Sequence, residues 1–182
     1  MSFNSFDFIF FFPAVVCLYF LIPYKFRWAL LLVASYYFYM CWKPEYIILI
    51  MGSTLIAYYS GIKMGQAENI HKRKPYFMLS IISSLGILFT FKYFNFFSDS
   101  LKVLLSYFNI FYNVPAFKLL LPIGISFYTF QTLSYTIDVF YGRKKPEKHF
   151  GIFALYVSFF PQLVAGPIER STSLLPQFFK KH

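Results

Sequence analysis

A chain of 182 residues that is 58% hydrophobic, 25% aromatic and only 13% charged falls well short of the roughly 25% charged residues of a soluble domain. That balance excludes an ordinary soluble globular enzyme. The net charge of +10 does not argue for nucleic acid either. The basic residues gather at 25–27, 72–74 and 143–148, between apolar runs, where they act as membrane-orientation signals.

Stretches free of Asp, Glu, Lys and Arg cover 8–24, 28–42, 46–62, 75–91, 103–117, 119–137 and 150–168. Each is close to the roughly 17–25 residues a spanning helix needs, and flanking Lys or Arg can reach the interface to lengthen a short one. The predicted fold is all-α: a polytopic transmembrane helix bundle of about six spans plus one interfacial or half-inserted helix.

In chain order, Asp7 precedes the first run and Lys25 and Arg27 follow it, the reverse of a cleavable signal peptide. The run is predicted as a retained helix with its amino terminus outside, with Pro13 near its start, where a missing N–H costs least. A PYKFR turn leads into 28–42, and KPEY opens 46–62. The loop over 63–74, with Lys63, Lys72, Arg73 and Lys74, reads as aqueous. A fourth span over 75–91 exits through FKYFNFF. Cys17 and Cys41 lie inside apolar runs without a CxxC pattern and are predicted as small buried hydrophobes.

Ser98, Asp99 and Ser100 suit a helix start, but charge argues against a span at 101–117. Without one, ten basic residues fall on the inner loops and four on the outer, the expected asymmetry. The piece is therefore predicted as interfacial or half-inserted. A basic inner loop follows over 141–149. The run 150–168 is interrupted by Pro161 and by Gly166-Pro167, which frees backbone groups that need partners in protein or a cavity. The tail from Ser171 reads as a short amphipathic piece.

The chemistry points to 121–143. As a helix, Tyr128, Gln131, Ser134, Tyr135 and Asp138 recur at spacings of three and four and share one face. Ile123, Phe130, Leu133, Ile137 and Phe140 take the other. Together with Gln162, Glu169 and Arg170 they form the candidate polar constellation. One reading is a substrate tunnel; the other is interhelical hydrogen bonding. The three histidines, His71, His149 and His182, lie in basic loops or at the end of the chain and read as solvated. No Walker loop, GxGxxG, HExxH or GxSxG is present, no metal cluster is predicted, and no catalytic residue is assigned.

The strings LPIGISFYTFQTLSYTIDVFYGR at 121–143 and FFPQLVAGPIER at 159–170 resemble the membrane-bound O-acyltransferases. They are closest to the bacterial branch of alginate O-acetyltransferases and D-alanyl transfer proteins. FNSFDFIFFFPAVVCLYFLIP and YYFYMCWKPEYIILI are similar to the amino-terminal part of that branch. The resemblance implies a multi-helix enzyme of the inner (cytoplasmic) membrane with a tunnel through the bilayer. Its acyl donor would be an inner thioester, such as acetyl-CoA or an acyl carrier, used as substrate with no bound cofactor. The acceptor would be a hydroxyl on an exported cell-envelope polysaccharide such as alginate, or an extracytoplasmic acyl-relay protein. In that family the catalytic histidine lies well downstream of the GPIER-type motif, and His182 does not match it. The expectation is a single transmembrane domain over 1–182, incomplete at its carboxyl end and inactive alone. The rival reading is a non-catalytic transport or scaffold component.

Overall fold

The computed structural model describes residues 5–108, 122, 124–163, 166 and 169–180. Helix makes up 83% of the described residues, and no strand is found among them. Helix α1 (Phe6–Leu21) starts at Ser5, whose hydroxyl accepts from the Phe8 N–H, with Asp7 in the first turn where the helix dipole favours an anion. Pro13 lies inside this helix rather than near its start, because the helix begins two residues earlier than the apolar run. Then come α2 (Tyr24–Met40), a 3-10 turn (Pro44–Tyr46), α3 (Ile47–Gln66) and α4 (Ile70–Leu88). The predicted aqueous loop at 63–74 is mostly helical, so its basic residues decorate helix ends.

A π segment (Phe89–Tyr93) joins α4 to α5 (Phe94–Ser106), making one continuous 37-residue helix. Ser98, Asp99 and Ser100 therefore lie inside a helix and start none. Of the predicted interfacial piece at 101–117, residues 109–117 are outside the described residues, as is Ile123. Helix α6 (Ile125–Phe140) carries the polar row. It is followed by α7 (Phe150–Ser158), α8 (Phe160–Leu163), α9 (Ser171–Leu174) and a 3-10 turn (Leu175–Phe179). Among these helices, Pro44–Gln66 and Ile70–Ser106 are long and apolar enough to cross a membrane, while Phe6–Leu21 and Phe150–Leu163 are shorter apolar helices.

Helices α3, α4 and α6 pack against one another, and α7 lies across α2 and α3. Between Ile50 and Met64, the α3 face that closes this core is made of small residues. Ser53, Thr54, Ala57, Ser60 and Gly61 are all buried, which lets helix backbones approach closely. The Ser53 and Thr54 hydroxyls turn back onto the Leu49 and Ile50 carbonyls, so they bring no unsatisfied polarity inside. A Cβ on Gly61 would sit 2.9 Å from the Tyr135 ring, which shows how tightly α6 is seated. Ser80 and Thr136 share a 2.9 Å hydrogen bond between α4 and α6. Phe77 stacks on Phe140 with centroids 4.2 Å apart.

The outer surface is apolar. Phe10, Val33, Ile48, Ile82 and Phe96 are exposed large hydrophobics, which a water-soluble monomer does not present in such numbers. The architecture is that of a helical membrane protein. Cys17 and Cys41 are exposed and unbridged, against the expectation of burial. In a chain whose exterior is itself apolar, hydrophobic company does not imply an interior position.

Candidate functional site

The break between α7 and α8 organises the site. Phe159 takes φ −53°, ψ 108°, and Pro161 has no N–H to continue the ladder. In an unbroken helix the Phe160 N–H would donate to the Tyr156 carbonyl. Instead it donates to Ser35 Oγ of α2 at 3.3 Å. The released Tyr156 carbonyl accepts from Gln131 Nε2 of α6 at 2.8 Å. One interruption thus frees one donor and one acceptor, and two neighbouring helices take them up. Buried backbone groups need such partners. Ser35→Ala leaves the Phe160 N–H with no side-chain acceptor. It is expected to destabilise the fold by about 1–3 kcal/mol, measured as a lower melting temperature in detergent.

Tyr156 is the hub that sequence reasoning missed. Fully buried, its hydroxyl lies 3.3 Å from both the Gln131 and Glu169 carbonyls. Gln131 and Tyr156 therefore hold each other reciprocally. The available signal was a single phenol in the apolar run IFALYVSFF, since a buried hydroxyl needs a partner. Ser35 carried no comparable signal, because its partner Phe160 is 125 residues away.

The predicted row divides by role. Tyr128, Gln131 and Tyr135 are buried and face the bundle, whereas Phe130 and Ile137 are exposed. Phe140, assigned to the outer face, is buried against Phe77. It lies at the end of α6, where α4 covers it. The Tyr135 hydroxyl accepts from the Glu147 N–H at 3.0 Å, tying the helix to the 141–149 loop. The hydroxyls of Tyr39 and Tyr128 lie against one another, and neither completes a well-formed hydrogen bond among the described residues. Gln162 Oε1 is likewise left without a partner among them. The two hydroxyls thus have each other as neighbours, while Gln162 Oε1 has no partner among the described residues.

At the other end of α6, Ser134 is half-buried and Asp138 is 8% exposed. The Asp138 carbonyl accepts the Arg143 and Lys144 N–H groups at 2.9 and 3.3 Å, closing the helix. Side chains of both border a cleft shared with Arg143 and Arg170. Arg170 is exposed and Glu169 half-buried.

The 141–149 loop is tied down rather than free. Arg73 donates to the Phe140 carbonyl, the Tyr58 hydroxyl to the Lys148 carbonyl, and Lys144 Nζ to the Ser171 carbonyl. Partial burial holds the Lys144 pKa below the ordinary lysine value, with Glu147 and Asp138 opposing that shift. His149 is exposed, as a solvated loop residue should be, but its Nδ1 accepts from the Ile152 N–H at 3.2 Å and caps α7.

Gly124 begins α6 in the left-handed region, with φ +76°. A Cβ there would sit 2.8 Å from the Leu163 carbonyl oxygen. The start of α6 and the end of α8 are thus in backbone contact, bringing the two sequence motifs together. Among the described residues, no group of three or more His, Cys, Asp or Glu converges.

No protein-family model matches the chain, and no solved structure matches it significantly. Curated relatives do. A probable alginate O-acetylase AlgI of Pseudomonas aeruginosa is 39% identical over 180 residues, covering 98% of this chain and 34% of that protein. The protein of the same name in Pseudomonas putida is 41% identical over 182 residues, covering 98% of this chain and 37% of its own length. A peptidoglycan O-acetyltransferase of Helicobacter pylori is 30% identical over 178 residues, 84% of this chain and 32% of that protein. The chain spans about a third of the length of these relatives. Both motifs lie inside the aligned stretch, so the chain is similar to the amino-terminal part of larger proteins named alginate O-acetylase.

Proposed function

We propose that the protein is a membrane O-acetyltransferase of cell-envelope polysaccharide, of which these residues form the amino-terminal helical part. The observation that carries this is the 36–41% identity, over almost all of the chain, to proteins named for alginate O-acetylation. The donor is an acyl thioester presented from the inside of the cytoplasmic membrane. The acceptor is an exported polysaccharide, or a relay protein that passes the acetyl group on. About six spans with the amino terminus outside fit the ten-to-four distribution of basic residues. The 37-residue helix Ile70–Ser106 would be about 56 Å long at 1.5 Å per residue. That exceeds a hydrocarbon core of roughly 30 Å and supports a resting place for α5 at the interface.

The substrate route we assign follows buried polar atoms without a well-formed hydrogen bond among the described residues. We assign the Tyr128 hydroxyl and Gln162 Oε1 to it at the start of α6; Ser134, Asp138 and Arg170 border a separate cleft on the other flank of α6 and are not assigned to the route. Gln131 and Tyr135 hold its wall. The test is transfer from radiolabelled acetyl-CoA to deacetylated alginate by membranes carrying the complete product of the gene. Tyr128→Phe removes a hydroxyl that faces the Tyr39 hydroxyl and holds no backbone group among the described residues. It is expected to reduce transfer about tenfold, the scale of one lost substrate hydrogen bond, at unchanged abundance. Full transfer by Tyr128→Phe would remove that residue from the route. No transfer by the unmodified protein to any envelope polysaccharide would refute the activity.

A further inference from the structure

Beside the last turns of α6, on the flank away from Tyr135, lies a cleft of about 400 Å³. One wall is apolar, made by Phe130, Leu133 and Ile137. Phe130 and Ile137 are 46% and 36% exposed, so this wall continues the greasy exterior of the bundle. The end nearest the 141–149 loop is polar, with Ser134, Asp138, Arg143 and Arg170. Among the described residues neither guanidinium has a carboxylate within ion-pair distance, the recorded ion pair being Lys102–Asp99 on α5. Arg143 instead lies over the Tyr141 ring, 5.4 Å from its centroid.

Two cations and one carboxylate leave the cleft one positive charge in excess. A small dissolved anion would have no use for the apolar wall, and an uncharged lipid would have none for the arginines. A phosphodiester on an acyl chain matches both halves. It carries one negative charge, its oxygens suit the guanidinium fork, and its tail can continue along Phe130 and Ile137. Basic pockets between helices at a membrane surface take lipid headgroups in this way. The Asp138 carboxylate repels a phosphate, so the phosphate belongs on the Arg143 and Arg170 side. Asp138 and Ser134 are then left to meet hydroxyls of the headgroup. We propose that this cleft binds one anionic phospholipid with a hydroxylated headgroup, such as phosphatidylglycerol, its phosphate between Arg143 and Arg170.

The experiment is native mass spectrometry of the purified full chain in detergent, titrated with phosphatidylglycerol, phosphatidylethanolamine or phosphatidylcholine. One phosphatidylglycerol per chain is expected to be retained in preference to the other two. Arg143→Gln with Arg170→Gln should weaken that retention about thirtyfold, about fivefold for each arginine. A Lys25→Gln, Arg27→Gln control should not. Ile137→Glu, which places a carboxylate on an exposed position of the wall, should also remove the preference, with an unchanged melting temperature showing that the fold is intact. Equal retention of the three lipids overturns the assignment, as does undiminished preference in the double variant. Displacement of the lipid by soluble coenzyme A also overturns it, since the cleft would then belong to a water-soluble phosphate ester.

Discussion

Replacing Gln131 with leucine is expected to lower the amount of folded protein and the proposed acetyl transfer by the same factor. The Gln131 amide is committed to the Tyr156 carbonyl at 2.8 Å. That carbonyl has lost its helical donor to Ser35. Leucine fills the space but donates nothing, so a buried acceptor loses its side-chain partner at a cost of about 1–3 kcal/mol. Against a total stability of roughly 5–15 kcal/mol, this is a large fraction. The measurement is membrane abundance by immunoblot alongside transfer per cell. Full abundance with lost transfer would mean that the amide serves substrate rather than the broken helix.

Gly124→Ala is expected to do more damage. With φ at +76°, any L side chain costs about 1–2 kcal/mol in the left-handed region. The added Cβ also meets the Leu163 carbonyl oxygen at 2.8 Å, a backbone atom that cannot swing aside. Overpacking of this kind costs about 1–3 kcal/mol, giving about 3 kcal/mol together. The result to look for is a large fall in melting temperature and in protein recovered from membranes. A variant that melts with the wild type would show that the α6–α8 contact gives way without cost.

The polar row on α6 was legible because polarity is scarce in this chain. Spacing alone placed Tyr128, Gln131 and Tyr135 on one face and Phe130 and Ile137 on the other. It could not say what the row does, since the same residues serve a path or a joint, and here Gln131 and Tyr135 are engaged in joints. The need for partners at the interrupted run near Pro161 was also legible. Their identity was not, because Ser35 and Gln131 reach the break from distant parts of the chain. The continuity of α4 into α5 was hidden by FKYFNFF, whose mixed aromatic and polar residues suit a membrane exit as well as a π turn. Asp138, Arg143 and Arg170 share a cleft that no local pattern announces, because a turn and a helix break separate them in sequence.

The two bonds at the α7–α8 interruption also limit how the molecule can move. Sliding α7 and α8 by one residue along the axis shifts them about 1.5 Å, which stretches and misaligns both the Gln131 and the Ser35 bonds. Helices α2 and α6 are therefore tied in register to the end of α7 and the start of α8. Any gating stroke in the proposed transfer has to come from parts hinged outside that frame.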